Sequence, residues 1–149
     1  MFSLATRHSA AAAFRRAPLF NTVSALNWRL LSTETKSRIE KAINSAPVCL
    51  FMKGTQEQPM CGFSRAAVQV LEVQGVQSFA SVNVLEDPEI REGIKEFSEW
   101  PTIPQLYVKG QFVGGADIMI DMYKNGELED LLVKEGVIAP APADETTKA

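Results

Sequence analysis

Residues 48–75 read VCLFMKGTQEQPMCGFSRAAVQVLEVQG, and this stretch decides the fold. Its first five residues, 48–52, are all apolar without alternation, which predicts a strand covered on both faces in a parallel or mixed sheet. A polar loop over residues 55–60 follows, and residues 63–74 are predicted to form a helix that stops at Gly75. The apolar residues at helical spacing in this helix are Phe63, Ala66, Ala67, Val70 and Leu71. This strand, loop and helix together predict an α/β domain.

The sequence on either side extends this unit to a predicted element order of αβαβαββαα. Ser32 or Thr33 caps a first helix, and Asp87-Pro88-Glu89 starts the third helix. Lys109-Gly110 is a two-residue hairpin connection. The other predicted elements are strands over residues 79–85, 105–108 and 111–113 and helices over residues 117–124 and 127–135. One βαβ crossover and one hairpin predict a central four-stranded mixed sheet with helices on both faces.

Both ends of the chain are predicted to lie outside the folded domain of residues 32–138. Residues 1–31 contain four arginines, no Asp or Glu, and interleaved apolar residues, which is typical of a mitochondrial transit peptide. Arg29-Leu30-Leu31-Ser32 resembles a processing site, so we expect the mature chain to begin near Ser32 in the mitochondrial matrix. The alternative is an untargeted disordered arm. Residues 139–149 are small, polar and proline-bearing, which predicts a disordered tail.

Composition excludes several classes of function. Without the four arginines of the transit peptide, 11 basic residues face 18 acidic ones, and this net charge of about −7 argues against nucleic-acid binding. No apolar run is long enough to span a bilayer, so we expect no membrane insertion. The single histidine, His8, lies in the transit peptide, which excludes Ser/His/Asp triads and His-rich metal sites. Two cysteines cannot build a four-thiolate zinc site within one chain.

Cys61 is the candidate reactive residue. It is predicted to lie in the first turn of a helix, where free N–H groups and the helix dipole lower the pKa of a thiol. Lys53 ends the preceding strand at the same sheet edge, so the two residues predict an anion and thiol site. The alternative is an ordinary helix-capping cysteine beside a solvated lysine. Ser64 occupies the position of a resolving cysteine, and Cys49 is predicted to be an inert packed thiol, so a second thiol or a metal must come from elsewhere.

Two further motifs flank the last two strands. Trp100-Pro101-Thr102-Ile103-Pro104 places two prolines just before a strand, where they form either a simple turn or a cis peptide bond. Gly114-Gly115 precedes a helix and allows a ligand anion to approach the backbone closely, although a plain turn explains it equally well. Asp117 either caps that helix or binds an ammonium group.

Four motifs together identify a family resemblance. Lys53-Gly54-Thr55, Cys61-Gly62-Phe63-Ser64, the Trp100–Pro104 segment and Gly114-Gly115-Ala116-Asp117 resemble those of the monothiol CGFS-type glutaredoxins, in particular the mitochondrial single-domain members. The resemblance spans residues 34–138 in the same order and spacing. It implies a thioredoxin-like fold with a cis proline at Pro104.

The resemblance also implies a glutathione site. Lys53 would pair with the glycyl carboxylate, Cys61 would meet the glutathione sulfur, and the backbone beside Pro104 would pair with the cysteinyl portion. Asp117 and the N–H groups around Ala116 would hold the γ-glutamyl end. The implied binding residues are Lys53, Cys61, Phe63, Arg91, Lys95, Thr102, Ile103, Pro104, Gly115, Ala116 and Asp117. Arg91 and Lys95 have a simpler alternative as solvated charges, and Ala116 stands where many relatives have Cys or Ser.

In such proteins the implied function is iron–sulfur cluster transfer. A [2Fe–2S] cluster usually takes four thiolates, which Cys61 from each of two chains and one glutathione on each would supply. The expected form is a cluster-bound homodimer that carries the cluster from a scaffold to recipient apoproteins. The alternative is a glutathione-dependent thiol–disulfide oxidoreductase that acts through a mixed disulfide of Cys61 with glutathione. A redox-sensing or purely structural module is a third interpretation.

Overall fold

The computed structural model describes residues 31–142. The transit peptide predicted for residues 1–31, apart from Leu31, and residues 143–149 of the predicted tail lie outside this range. Residues 139–142 of the predicted tail are exposed and form no helix or strand. The proposed boundaries near residues 32 and 139 therefore remain predictions.

The described residues form nine elements in the predicted order. We number the helices α1 (Thr33–Ile43), α2 (Gly62–Val73), α3 (Pro88–Ser98), α4 (Ala116–Asn125) and α5 (Glu127–Lys134). The strands are β1 (Val48–Met52), β2 (Ala80–Asn83), β3 (Gln105–Val108) and β4 (Gln111–Gly114). Ser32 caps α1 and Asp87 caps α3 through their side-chain oxygens, as predicted. No helix in residues 31–142 is long and apolar enough to cross a membrane.

The four strands form one mixed sheet in the order β2-β1-β3-β4. Strand β1 runs parallel to β2 and antiparallel to β3, and β3 pairs antiparallel with β4. All five residues of β1 are buried, because a hydrophobic cluster packs on each face of the sheet. One cluster includes side chains of α2, α4 and α5, and the other includes side chains of α1 and α3. The predicted sheet with helices on both faces is confirmed.

One predicted strand boundary was wrong, and the structure decides the positions of Phe63 and Asp117. The second strand is shorter than residues 79–85, because the chain already turns after Asn83. Phe63 is 62% exposed and does not share the buried face of α2, because it lies in the first turn, next to the Cys61 cap. Of the two roles considered for Asp117, capping α4 is excluded, since the cap residue is Gly115 and makes no side-chain hydrogen bond.

The strand register brings the four sequence motifs to one edge of the sheet. Phe51 near the end of β1 lies opposite Gln105 at the start of β3, directly after Pro104. Leu106 lies opposite Gly114, so β4 ends beside the start of β3 and leads into α4. Because β1 and β4 both end where β3 begins, the residues after β1, before β3 and after β4 converge.

Candidate functional site

A cavity of about 350 Å³ opens where these motifs converge. It is lined by Lys53, Phe63, Arg91, Lys95, Trp100, Pro101, Thr102, Ile103, Pro104, Gly115, Ala116, Asp117 and Ile118. All the predicted binding residues are in this lining except Cys61. Trp100, Pro101 and Ile118 also line the cavity. Sequence analysis placed the first two in a motif but named none of the three as a binding residue. The motifs therefore build one concave surface from four parts of the chain.

Charged side chains of both signs line the cavity. Lys53 follows β1, and Arg91 and Lys95 lie one turn apart on α3, which gives three cations. Asp117 lies in the first turn of α4. Lys95 Nζ also lies 3.0 Å from Glu92 Oε1, so the Glu92 carboxylate partly balances the positive charge of Lys95. The arrangement suits a small ligand that carries carboxylates and an ammonium group.

Two lining residues carry polar groups with unused hydrogen-bonding capacity. Arg91 Nε and Trp100 Nε1 are buried and have no hydrogen-bond partner among the described residues. A buried donor without an acceptor is costly, so a polar ligand in the cavity would relieve that cost. Gly115 lies close by, because a Cβ added there would stand 3.1 Å from Trp100 Nε1 and 3.4 Å from Pro104 O. Any larger residue at position 115 would narrow the cavity.

The segment before β3 contains the cis peptide bond that the resemblance implies. The bond joins Ile103 to Pro104, and both residues are buried. Thr102, just before them, is exposed and lines the cavity. The backbone of this segment therefore forms one wall of the cavity.

Cys61 is the N-cap of α2, beside the cavity. Its Sγ accepts a hydrogen bond from the Ser64 backbone N–H at 3.3 Å and lies 3.2 Å from Ser64 Oγ. Partial burial raises the pKa of the Cys61 thiol. Hydrogen bonds from Ser64 and the Phe63 backbone, together with the charge of Lys53, lower this pKa by a larger amount. The net pKa of Cys61 lies below its ordinary value. The predicted low-pKa thiol is confirmed in direction.

Ser64 connects Cys61 to Lys53. Its side chain is fully buried, and its Oγ accepts a hydrogen bond from the Lys53 backbone N–H at 3.0 Å. When Cys61 is a thiolate, the sulfur has no proton, so the Ser64 hydroxyl becomes the donor to it. Ser64, which occupies the position of a resolving cysteine, thus stabilises the thiolate of Cys61.

Cys49 behaves oppositely to Cys61. It lies in the central strand with no exposed surface, and burial raises the pKa of its thiol to about 12. The prediction of an inert packed thiol is confirmed. Within residues 31–142, Cys61 is therefore the one thiol with access to a ligand.

The loop between β1 and α2 is folded tightly against Lys53. Met60 N donates to Lys53 O at 2.8 Å, and Gly54 N donates to Asn83 Oδ1 at 2.9 Å. Gly54 has φ +91°, and a Cβ there would stand 2.3 Å from Gln58 O, so only glycine fits this turn. Asn83 at the end of β2 thus helps to hold the residue next to Lys53, a role that sequence analysis missed because it depends on strand pairing.

Replacing Ser64 with alanine should raise the pKa of Cys61. The change removes the hydroxyl that stabilises the thiolate, so the iodoacetamide reaction should be slower at neutral pH and its pH midpoint should move upward. The rate is measured by mass spectrometry of the Cys61 peptide, while Cys49 stays unmodified until the protein is denatured. Ser98→Ala is the matched control, because the Ser98 hydroxyl bonds Ile94 O and not the thiol. An unchanged midpoint in Ser64→Ala would contradict the assigned contact.

A thiol at a helix N-terminus and a cis-proline segment, together at one edge of a four-stranded mixed sheet, define a thioredoxin-like thiol protein. Residues 48–113 match the family model of glutaredoxin. The chain is 59% identical over 122 residues to "Monothiol glutaredoxin-5, mitochondrial" of Saccharomyces cerevisiae, covering 80% of this chain and 81% of that protein. The protein of the same name from Schizosaccharomyces pombe is 50% identical over 133 residues, covering 85% and 91%. This chain belongs to the monothiol glutaredoxins.

The structural comparison agrees with this assignment. The solution structure of reduced poplar apo GrxS14 matches with a TM-score of 0.62 at 47% sequence identity, covering 69% of this chain and 94% of that chain. The predicted thioredoxin-like glutaredoxin fold is confirmed. The mitochondrial location predicted from the sequence agrees with the names of both yeast relatives.

Proposed function

We propose that this protein binds a glutathione-ligated [2Fe–2S] cluster at a dimer interface and transfers it to recipient proteins in the mitochondrial matrix. The observation that carries the proposal is a single accessible thiol of lowered pKa beside a cavity that suits glutathione. The cluster is the cargo, and glutathione is the ligand that completes its binding site. A scaffold would supply the cluster and apoproteins would receive it.

The cavity lining fits the chemistry of glutathione. Glutathione carries two carboxylates, one ammonium group, two peptide bonds and a thiol. Lys53, Arg91 and Lys95 offer charge to a carboxylate, and Asp117 offers it to the ammonium group. The backbone before Pro104 lines the same cavity and offers hydrogen bonds to a peptide. Each functional group of the tripeptide therefore has a complementary group in the same cavity.

The number of ligands favours two chains per cluster. A [2Fe–2S] cluster of this type takes four thiolates, and Cys61 is the only accessible cysteine in residues 31–142. No group of three or more His, Cys, Asp or Glu residues that could hold a metal is present in that range. Two copies of Cys61 and two glutathiones supply four. Glutathione is held without a covalent bond, so such a cluster would be labile, which suits transfer.

Exposed apolar side chains near the thiol support a contact with a second copy. Met60 is 70% exposed and Phe63 is 62% exposed, and they lie on either side of Cys61 in the sequence. Ile118 lines the cavity and is also exposed. Burying apolar side chains of this size away from water lowers the free energy. A dimer that joins the two Cys61 residues would cover this surface and keep water from the cluster.

The proposal is tested by anaerobic reconstitution of residues 32–149 with iron and sulfide, with and without glutathione. We expect a brown dimer with about one [2Fe–2S] per two chains that forms only when glutathione is present. The visible spectrum reports the cluster, and the elution volume reports the dimer. A colourless monomer in the presence of glutathione would refute the cluster site.

The lowered pKa of Cys61 also supports the second candidate, a glutathione-dependent oxidoreductase. The Cys61 thiolate would attack the glutathione sulfur of a mixed disulfide, release the substrate thiolate and become glutathionylated. A second glutathione thiolate would then attack this disulfide, which yields oxidised glutathione and regenerates the Cys61 thiolate. A colourless monomer that turns over glutathionylated substrates would favour this candidate.

A further inference from the structure

Gln105 is a buried polar side chain at the base of the cavity wall. It is the first residue of β3, directly after Pro104, and it has no exposed surface. Its Nε2 donates two hydrogen bonds, to Trp100 O at 3.0 Å and to Thr102 O at 3.1 Å. Both accepting carbonyls belong to the segment that lines the cavity. One amide group therefore ties two points of the wall to the central sheet.

Stability alone does not explain a glutamine at this position. Its Oε1 is buried and has no hydrogen-bond partner among the described residues, so the amide is only half satisfied. Burying such a group costs free energy, whereas Leu106 and Val108 in the same strand are buried with side chains that carry no polar atom. A leucine or methionine would fill the same space with no unpaired polar atom.

The two hydrogen bonds from Gln105 hold a segment that has few backbone N–H donors of its own. Pro101 and Pro104 have no backbone N–H, so the segment can donate little to the surrounding backbone. The Trp100 and Thr102 carbonyls accept hydrogen bonds from Gln105, which fixes the peptide planes after Trp100 and after Thr102. The orientation of the Thr102 and Ile103 backbone follows from those planes.

We infer that Gln105 is a positioning residue that holds the 100–104 wall in the orientation that accepts the peptide portion of glutathione. This inference rests on the glutathione site of the proposed function. Gln105 does not line the cavity, so it acts through the backbone of the wall and not by touching the ligand. Its unpaired oxygen is the cost of placing two donors there.

The test compares Gln105→Leu with the unchanged full-length chain by calorimetric titration with glutathione. We expect about tenfold weaker binding, the size that follows from losing two ordinary hydrogen bonds that orient the wall. The melting temperature should stay equal or rise, and hydrogen exchange at the Trp100 amide, which donates to Lys95 O at 3.1 Å, should become faster. Leu106→Met, a volume-conserving change at the next buried position, should alter neither the affinity nor this exchange.

Gln105→Glu provides an independent measurement. When protonated, the introduced carboxyl can donate one hydrogen bond to a wall carbonyl; when ionised, it repels both carbonyls. The affinity of the Gln105→Glu protein for glutathione, divided by the affinity of the unchanged chain at the same pH, should therefore fall as pH rises. This ratio removes the titration of the cavity residues and of glutathione, which both proteins share.

The outcomes separate this inference from the proposed function. If the unchanged chain binds glutathione and Gln105→Leu binds it equally well, the positioning role is refuted and the glutathione site stands. If Gln105→Leu does not fold, a pH-independent affinity ratio for Gln105→Glu refutes the role. If the unchanged chain fails to bind glutathione, the proposed function fails and this inference fails with it.

Discussion

The Cys61→Ser protein is expected to remain colourless and monomeric after reconstitution with iron, sulfide and glutathione. Serine keeps the side-chain shape, but its hydroxyl stays protonated near neutral pH and cannot replace a thiolate ligand. Each chain would lose its one accessible thiol, and the cluster would keep only the two glutathione ligands. We therefore expect complete loss of the visible absorption and of the glutathione-dependent dimer.

The control for this experiment is the other cysteine. Cys49→Ala removes a fully buried thiol in β1, so it should lower the melting temperature modestly and leave the cluster content unchanged. Glutathione binding to apo Cys61→Ser, measured separately, checks that the cavity is intact. A Cys61→Ser protein with a normal cluster would show that the ligand assignment is wrong.

Lys53→Ala should weaken glutathione binding roughly 5- to 150-fold, which corresponds to about 1 to 3 kcal/mol for a hydrogen bond with a charged partner. Lys53 lines the cavity, and its charge also lowers the pKa of Cys61, so the alanine variant should show a higher Cys61 pKa as well. Calorimetric titration measures the first effect, and the pH profile of alkylation measures the second. Cluster content after reconstitution should fall in parallel with the affinity.

Two variants isolate the role of Lys53. Lys41→Ala removes an exposed lysine in the last turn of α1 that does not line the cavity, and it should change neither quantity. Lys53→Arg keeps the charge and should retain more affinity than Lys53→Ala. If Lys53→Ala and Lys41→Ala bind glutathione with equal affinity, Lys53 is not part of the binding site.

Local sequence patterns predicted the elements because each one has a physical cause that acts within a few residues. The apolar run of β1 has no alternation because both faces are covered, and Asp87 caps α3 with its own carboxylate. Local patterns did not predict features that depend on tertiary structure. Phe63 has helical spacing with the buried residues of α2, but its place in the first turn leaves it exposed.

The cavity residues required both the motifs and the fold. The family resemblance indicated the residues that later proved to line one cavity, because motifs carry the groups that face a ligand. Residues that support the cavity without lining it were not indicated by the motifs. Asn83 holds Gly54 through a hydrogen bond that depends on the pairing of β1 with β2. Gln105 holds the Trp100 and Thr102 carbonyls through local hydrogen bonds, which depend on the turn of the chain before β3.

The contrast between the two thiols determines how oxidative damage to this protein can be repaired. Cys49 is sealed in the central strand, and Ser64 cannot form a disulfide, so an oxidised Cys61 has no rescue partner in residues 31–142. Sulfenic acid formed there can return to a thiol only through thiols arriving from solution, before further oxidation becomes irreversible. Such thiols would approach beside the cavity, so occupancy of the cavity would set how long the damaged state lasts.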